Sequence, residues 1–219
     1  MLNDRRITLA LNLAAFVIAI AGLVATGLSW GMLMFFTIWT NIVAAILFAV
    51  FAVRIMQDIL RDGVTGPSSY YPRLTMVAAT SLAMMGLAYW GLLAPNATSG
   101  LWTFDNLVTH AVTPLLLVIF YFALTRPGSI RPRDIGYAAL LPLAYVLTVY
   151  AAYLLGYQYG YLSDGSIRWF PYFFLDFHNI GWGMVSLYIL GIVVLVVGIG
   201  YLLLAIDRQR SRKANPSRR

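Results

Sequence analysis

Apolar residues run along this chain in six long blocks, separated by short polar or Gly/Pro-bearing stretches. The blocks fall at about 7–28, 31–56, 74–94, 104–125, 135–156 and 180–206. A run of roughly 20 apolar residues is what a helix needs to cross the hydrocarbon layer of a bilayer. The pattern predicts an all-α integral membrane protein of six transmembrane helices in one domain, residues 1–206. The link at Ser29–Trp30 is very short, so spans 1 and 2 are expected to be antiparallel neighbours. The first block is too long for a signal peptide and lacks a clear small-residue cleavage site after it, so it is read as a retained span. Residues 207–219, DRQRSRKANPSRR, form a basic tail expected to be disordered.

The polar residues inside these blocks are few and clustered. In span 2, Thr37, Thr40 and Asn41 lie at i, i+3 and i+4, which a helix places on one face. Span 4 opens with DNLVTH, Asp105 to His110. Thr37 and His110 each follow the expected start of their span by six residues, Gly31 and Phe104. At a rise of ~1.5 Å per residue, both are expected ~9 Å below the same membrane face. Below them the blocks turn oily: from Ile42 to Val53 span 2 carries no polar side chain. A pocket open at one face with an apolar slot beneath it suits an amphiphile, with a polar linkage above and an alkyl chain below. A transporter needs polar groups through to the other face, and Asn12, Thr75, Thr80 and Ser81 keep that alternative open.

Composition narrows the chemistry. With 61% hydrophobic and 11% charged residues and a mean hydropathy of +0.78, the chain does not belong among soluble domains. It has no cysteine, which removes disulfides, thiolate nucleophiles and cysteine metal sites. Two histidines, His110 and His178, rule out a three-histidine metal site within one chain. The net charge of +7 is a matter of topology. Of the 15 Lys and Arg residues, only Arg168 falls on the side opposite the termini. The positive-inside rule then predicts cytoplasmic termini, and no nucleic acid partner is called for. The tail is positioned to touch anionic membrane lipids.

His110 is the leading candidate, because an ionisable group within a span is costly and marks function by default. A Thr–His pair has a chemistry: the imidazole takes the hydroxyl proton as the oxygen attacks a carbonyl. Asn41, one turn below Thr37, is a candidate oxyanion donor; Asn106, one turn above His110, is a candidate donor or orienter. Thr40 shares their face. Asp105 reads as a helix-start charge. Pro114 removes the amide that would bond the His110 carbonyl, so a kink is expected there, with a Thr hydroxyl or water rescuing the carbonyl. The loop 157–179 is rich in aromatic residues, among them Tyr172, and reads as an interfacial belt or a lid. Asp176 and His178 follow it. Together with Asp105 and His110 these could ligate a metal, but their spacing fits no metal motif, and the Thr–His chemistry needs no cofactor.

The segments FFTIWTN in span 2, NLVTHAVTPLLL in span 4 and WFPYFFLD…GWG before span 6 resemble the androgen-induced-gene family of six-span membrane proteins, and its bacterial relatives most. The likeness extends from span 1 to span 6. It implies a hydrolase of fatty-acid esters of hydroxy fatty acids with an intramembrane threonine and histidine, falling here on Thr37 and His110. Asp176 stands where an acidic residue ends the family's Tyr-Pro-Phe-Leu-like segment; this chain reads FPYFFLD there. The expected function is thus an intramembrane lipid ester hydrolase of a bacterial cytoplasmic membrane, acting on a fatty-acyl ester. The alternative is a non-enzymatic transporter or lipid-binding protein with the same pocket.

Overall fold

The computed structural model describes residues 3–27, 29–161 and 165–214. Among them six helices are long and apolar enough to cross a membrane: α1 (Arg5–Ala25), α2 (Phe36–Asp62), α3 (Pro72–Asn96), α4 (Phe104–Leu124), α5 (Pro132–Leu154) and α6 (Phe177–Ala214). The protein is a multi-pass membrane protein. Its surface fits that: Leu143, Leu147, Leu187, Leu190 and Val194 stand more than half exposed on helix faces, a display that water would not tolerate but lipid does.

Three boundaries differ from the expectation. The second helix starts at Phe36, after a 3-10 turn at Met32–Met34. The Trp39 indole donates to the Leu33 carbonyl at 2.7 Å and the Tyr145 hydroxyl donates to the Met34 carbonyl at 2.9 Å, and these bonds hold that turn out of the helix. Apolar periodicity registers neither bond, one local and one from a residue 111 positions away. A short helical turn from Phe177 leads to a kink at Gly181 (φ 74°), and the last helix continues from there through Ala214, so residues 207–214 are helical, while 215–219 lie outside the described residues. Asp207 explains this extension: its buried carboxylate accepts from the Gly128 amide at 2.9 Å and ties the helix end to the α4–α5 turn. The expected end of span 1 at Leu28 also lies outside the described residues; the helix itself ends at Ala25.

The bundle core lies toward the terminal face. Phe48, Phe51, Ile55, Met76, Leu82, Leu117 and Tyr121 are fully buried there. Phe48 and Phe120 pack edge to face, with ring centres 5.4 Å apart. Three interior polar residues of this layer bond locally or to a neighbour, while the buried Ser81 hydroxyl has no partner. Asn12 donates to the Phe48 carbonyl at 2.5 Å, Thr75 to Tyr71 at 3.0 Å, and Thr80 to the Met76 sulfur at 3.5 Å.

At the opposite face the helices are less regular. α3 ends in a π-helical turn, Tyr89–Leu93, and α4 contains another, Val108–Val112. π turns are uncommon and concentrate at functional sites. The second has a cause legible in sequence. Pro114 has no amide to give the His110 carbonyl, and the wide turn accommodates the missing bond.

Candidate active site

His110 lies in the middle of that π turn. Its Nδ1 is 3.1 Å from the Asn106 carbonyl oxygen and 3.1 Å from the Thr109 hydroxyl. A backbone carbonyl can only accept, so Nδ1 carries the ring proton. The Thr109 hydroxyl spends its own proton on the Asp105 carbonyl, at 2.7 Å. Nε2 is therefore left as an acceptor, and it faces Thr37: the Thr37 hydroxyl donates to His110 Nε2 at 3.0 Å. The two residues are 73 positions apart and on different helices. Hydroxyl, imidazole and carbonyl form one directed chain, the arrangement in which an imidazole takes a proton from an attacking oxygen.

The ring is clamped from outside the helix. Tyr89 stacks on it with centres 3.7 Å apart and planes 25° from parallel. The Trp90 indole donates to the His110 carbonyl at 3.2 Å. This is the donor that the freed carbonyl finds, in place of the expected Thr hydroxyl or water. Both residues come from the π turn of α3, which approaches closely because Gly86 is bare; a Cβ there would sit 2.8 Å from the His110 carbonyl oxygen. Gly86→Val should push the π turn aside. We expect a loss of about 1–3 kcal/mol in stability and disruption of the Thr37–His110 bond, read by thermal unfolding in detergent and by the histidine ring resonances. A variant that melts as the wild type with an unchanged ring environment would remove this role from Gly86.

Thr37 is the second residue of α2, not six residues inside it, which corrects its expected distance from the helix start; the expected common level with His110 agrees with their 3.0 Å contact. The side chain sits at a helix N-terminus, where free amides and the positive end of the helix dipole converge. The residue before the helix, Phe35, provides no side-chain cap. The Tyr172 hydroxyl takes that place from the loop before α6: it accepts from the Phe36 amide at 3.1 Å and lies beside the Thr37 amide and hydroxyl. Burial pushes the Tyr172 phenol up from its ordinary value, so it remains a protonated donor at neutral pH.

Other expected site residues have different roles. Asn41 is fully buried, and its amide donates to the Thr37 carbonyl at 2.8 Å and to the Thr109 carbonyl at 3.1 Å. Both N–H groups are committed, so Asn41 fastens α2 to the π turn and is not an oxyanion donor. Thr40 bonds back to Phe36 and Thr37 carbonyls at 3.1 and 3.0 Å. Asn106 orients the histidine through its backbone oxygen; its side chain donates to the Leu101 carbonyl at 2.8 Å. Asp176 and His178 do not join the pair. Asp176 caps the start of α6, accepting from the His178 amide at 3.1 Å and the Asn179 side chain at 2.7 Å. The His178 ring meets the Tyr153 hydroxyl at 2.9 Å and is exposed. Among the described residues no three His, Asp or Glu side chains gather where a metal ion would sit.

Two cavities meet at the pair. A polar one of about 270 Å³ is lined by Thr37, His110, Asp105, Asn106, Arg168 and Tyr172. A narrow apolar one of about 60 Å³ is lined by Thr37, Met85, Tyr145, Val146, Tyr172 and Ile192. Thr37, Tyr89, Leu93 and Tyr172 border both. Arg168, isolated among the basic residues in sequence, projects here. Its Nε donates to the Phe170 carbonyl at 3.1 Å, and its guanidinium also donates to Pro171.

No family model, curated protein or solved structure matches this chain.

Tyr89, Trp90 and Gly86 were not visible as site residues in the sequence. The one signal was the pair of aromatic residues at the end of a span at the depth of His110. Aromatic residues are common at membrane interfaces, which made that signal weak.

Proposed function

We propose that this protein is an intramembrane hydrolase of lipid carboxylic esters, with Thr37 as nucleophile and His110 as general base and then acid. The observation that carries it is the 3.0 Å bond from the Thr37 hydroxyl to an imidazole whose other nitrogen is committed to a carbonyl. The likeness to the six-span family noted above supports the same residues, and implies an ester of a hydroxy fatty acid as substrate.

The chemistry runs as an acyl transfer through threonine. Thr37 Oγ1 bonds to the ester carbonyl carbon, and its proton passes to His110 Nε2. The resulting oxyanion lies at the N-terminus of α2, where the Tyr172 hydroxyl and the Thr37 amide are the donors at hand. As the C–O bond to the alcohol breaks, His110 returns the proton to the leaving oxygen. Water then repeats the sequence: it attacks the acyl-threonine, His110 accepts its proton and gives it back to Thr37, and the carboxylic acid departs. The acyl chain occupies the apolar slot. The polar end faces Arg168 and Asp105. Both termini are proposed to be cytoplasmic, on the positive-inside rule, which opens the polar cavity to the outside of a cytoplasmic membrane.

A fluorophosphonate probe tests this directly. The purified protein should be labelled, and peptide mapping should place the label on Thr37. Labelling should vanish in His110→Ala with its fold intact. A label on another residue would remove Thr37 as nucleophile. A transporter or lipid-binding protein with the same pocket would bind lipid without reacting with the probe or turning over an ester. The packed layer of Phe48, Phe51, Leu82 and Leu117 beneath the pair favours the hydrolase over a transport path.

A further inference from the structure

The narrow slot beside Thr37 does not end in the core. Three of its lining residues, Pro142, Val146 and Ile192, also line another cavity of about 170 Å³ between α5 and α6. Every residue of that second cavity is apolar, from Ala139 to Val196. Its lips, Leu143 and Val193, are 54% and 43% exposed. In a membrane protein this face meets lipid tails, not water.

The two helices create this opening in a definite way. α5 begins as a 3-10 segment, Pro132–Ala139, and this segment packs on α6. There the approach is very close: a Cβ on Gly200 would stand 2.7 Å from Ile135 Cγ2. Beyond that crossing α5 becomes α-helical at Leu140 and parts from α6. At the opposite end aromatic residues close the gap again. Tyr150 stacks with Trp182 at 5.7 Å and with Phe177 at 6.5 Å. Between the two closures lies a window. Its α6 side runs from Ile189 to Val196, two helical turns or ~10 Å.

We infer that this window is a lateral acyl-chain port, through which a long-chain lipid ester enters from the bilayer with its chain lying between α5 and α6 and its carbonyl at Thr37. The inference rests on the proposed hydrolase for the reacting group, but its geometry rests on the shared lining alone. An apolar chain gains nothing by leaving lipid for an equally apolar groove; the port instead lets the chain remain in a lipid-like environment while the ester reaches the polar pair. A wet entrance alone would require pulling the chain through water, at ~0.8 kcal/mol per methylene. Pro142 keeps the window edge rigid, and its missing amide leaves no donor facing lipid.

The test uses two readouts. First, Thr37→Ala protein in lipid vesicles is irradiated with a palmitate carrying a diazirine near its chain end, and the adducts are mapped. Adducts on groove residues of α5 and α6 are expected; adducts spread over other lipid-facing helices would overturn the port. Second, Leu143→Trp and Val193→Trp close the lips of the window outside the slot beside Thr37, with Leu190→Trp, exposed on α6 and outside the groove, as control. Turnover of a palmitoyl ester should fall at least about tenfold in each plug, while that of a butyryl ester of the same alcohol stays within about twofold. An unchanged palmitoyl-to-butyryl ratio in both plugs would overturn the inference. Groove adducts without turnover of either ester by the wild type would keep the port and discard the hydrolase.

Discussion

Thr37→Ala, His110→Ala and the double variant are expected to lose nearly the same ester hydrolase activity, on the order of a thousandfold or more in kcat. The two residues form one unit. Without the hydroxyl the imidazole has nothing to deprotonate, and without the imidazole a threonine hydroxyl is too weak an acid to attack. Once either is gone, removing the other costs little more. Folding should survive, because each substitution leaves a small cavity beside an existing one. Thr37→Ser keeps the hydroxyl at the same position and should retain a measurable share of the rate; Thr37→Val keeps the shape and should retain none. The measurement is steady-state hydrolysis of a fluorogenic fatty-acyl ester in detergent micelles, with unfolding followed in parallel. Losses that multiply in the double variant would show that the two residues act separately, and the bond between them would then be a structural tie between α2 and α4.

Tyr172→Phe should lower kcat by about a hundred- to a thousandfold, with little change in KM, if the phenol donates to the oxyanion. The ring would stay, and with it the stacking on Phe174 at 5.1 Å and the edge contact with Phe35 at 5.9 Å. Only the hydroxyl would be lost. A second effect follows from the Phe36 amide, which that hydroxyl accepts at 3.1 Å. Left without a partner, a buried amide costs about 1–3 kcal/mol, so the unfolding temperature should drop as well. The comparison is Tyr145→Phe, which loses the bond to the Met34 carbonyl. It should destabilise similarly and slow catalysis far less. Equal kcat losses in the two variants would mean that both tyrosines merely hold the start of α2 in place, and the oxyanion would then rely on backbone amides.

The expected and observed sites differ in instructive ways. His110 stood out because a titratable ring within an apolar block is costly to bury, and Thr37 drew attention through its partner. The π turn was foreshadowed by Pro114 four residues after His110, since a missing amide has to be accommodated somewhere. Asn41 was visible as polar but its role was not. An asparagine within a span offers two donors, and only the position of the Thr109 carbonyl decides that both are consumed. Asp176 and His178 followed the aromatic loop in sequence, yet capping of α6 and the Tyr153 hydroxyl claim them. Local hydrogen bonds of Asp to the amides two and three residues ahead are the ordinary outcome for such a residue.

Six apolar blocks of membrane-spanning length, the absence of cysteine, the segregation of basic residues and the presence of a lone histidine within a span were all matters of the sequence alone. They follow from composition and period, which act locally and need no partner. What the tertiary structure decided is where α2 begins. The Met32–Met34 turn is held by Trp39 and Tyr145, and the exposed helix end is met by Tyr172, 136 positions away. That start places Thr37 beside the first amides of the helix and within 3.0 Å of His110. It decided equally that Gly86 admits the His110 carbonyl, and that α5 and α6 separate beyond Ile135 and Gly200. Apart from the local Trp39 bond, these are long-range contacts set by side-chain volume and donor geometry across helices, which the hydrophobic period of a single helix does not encode.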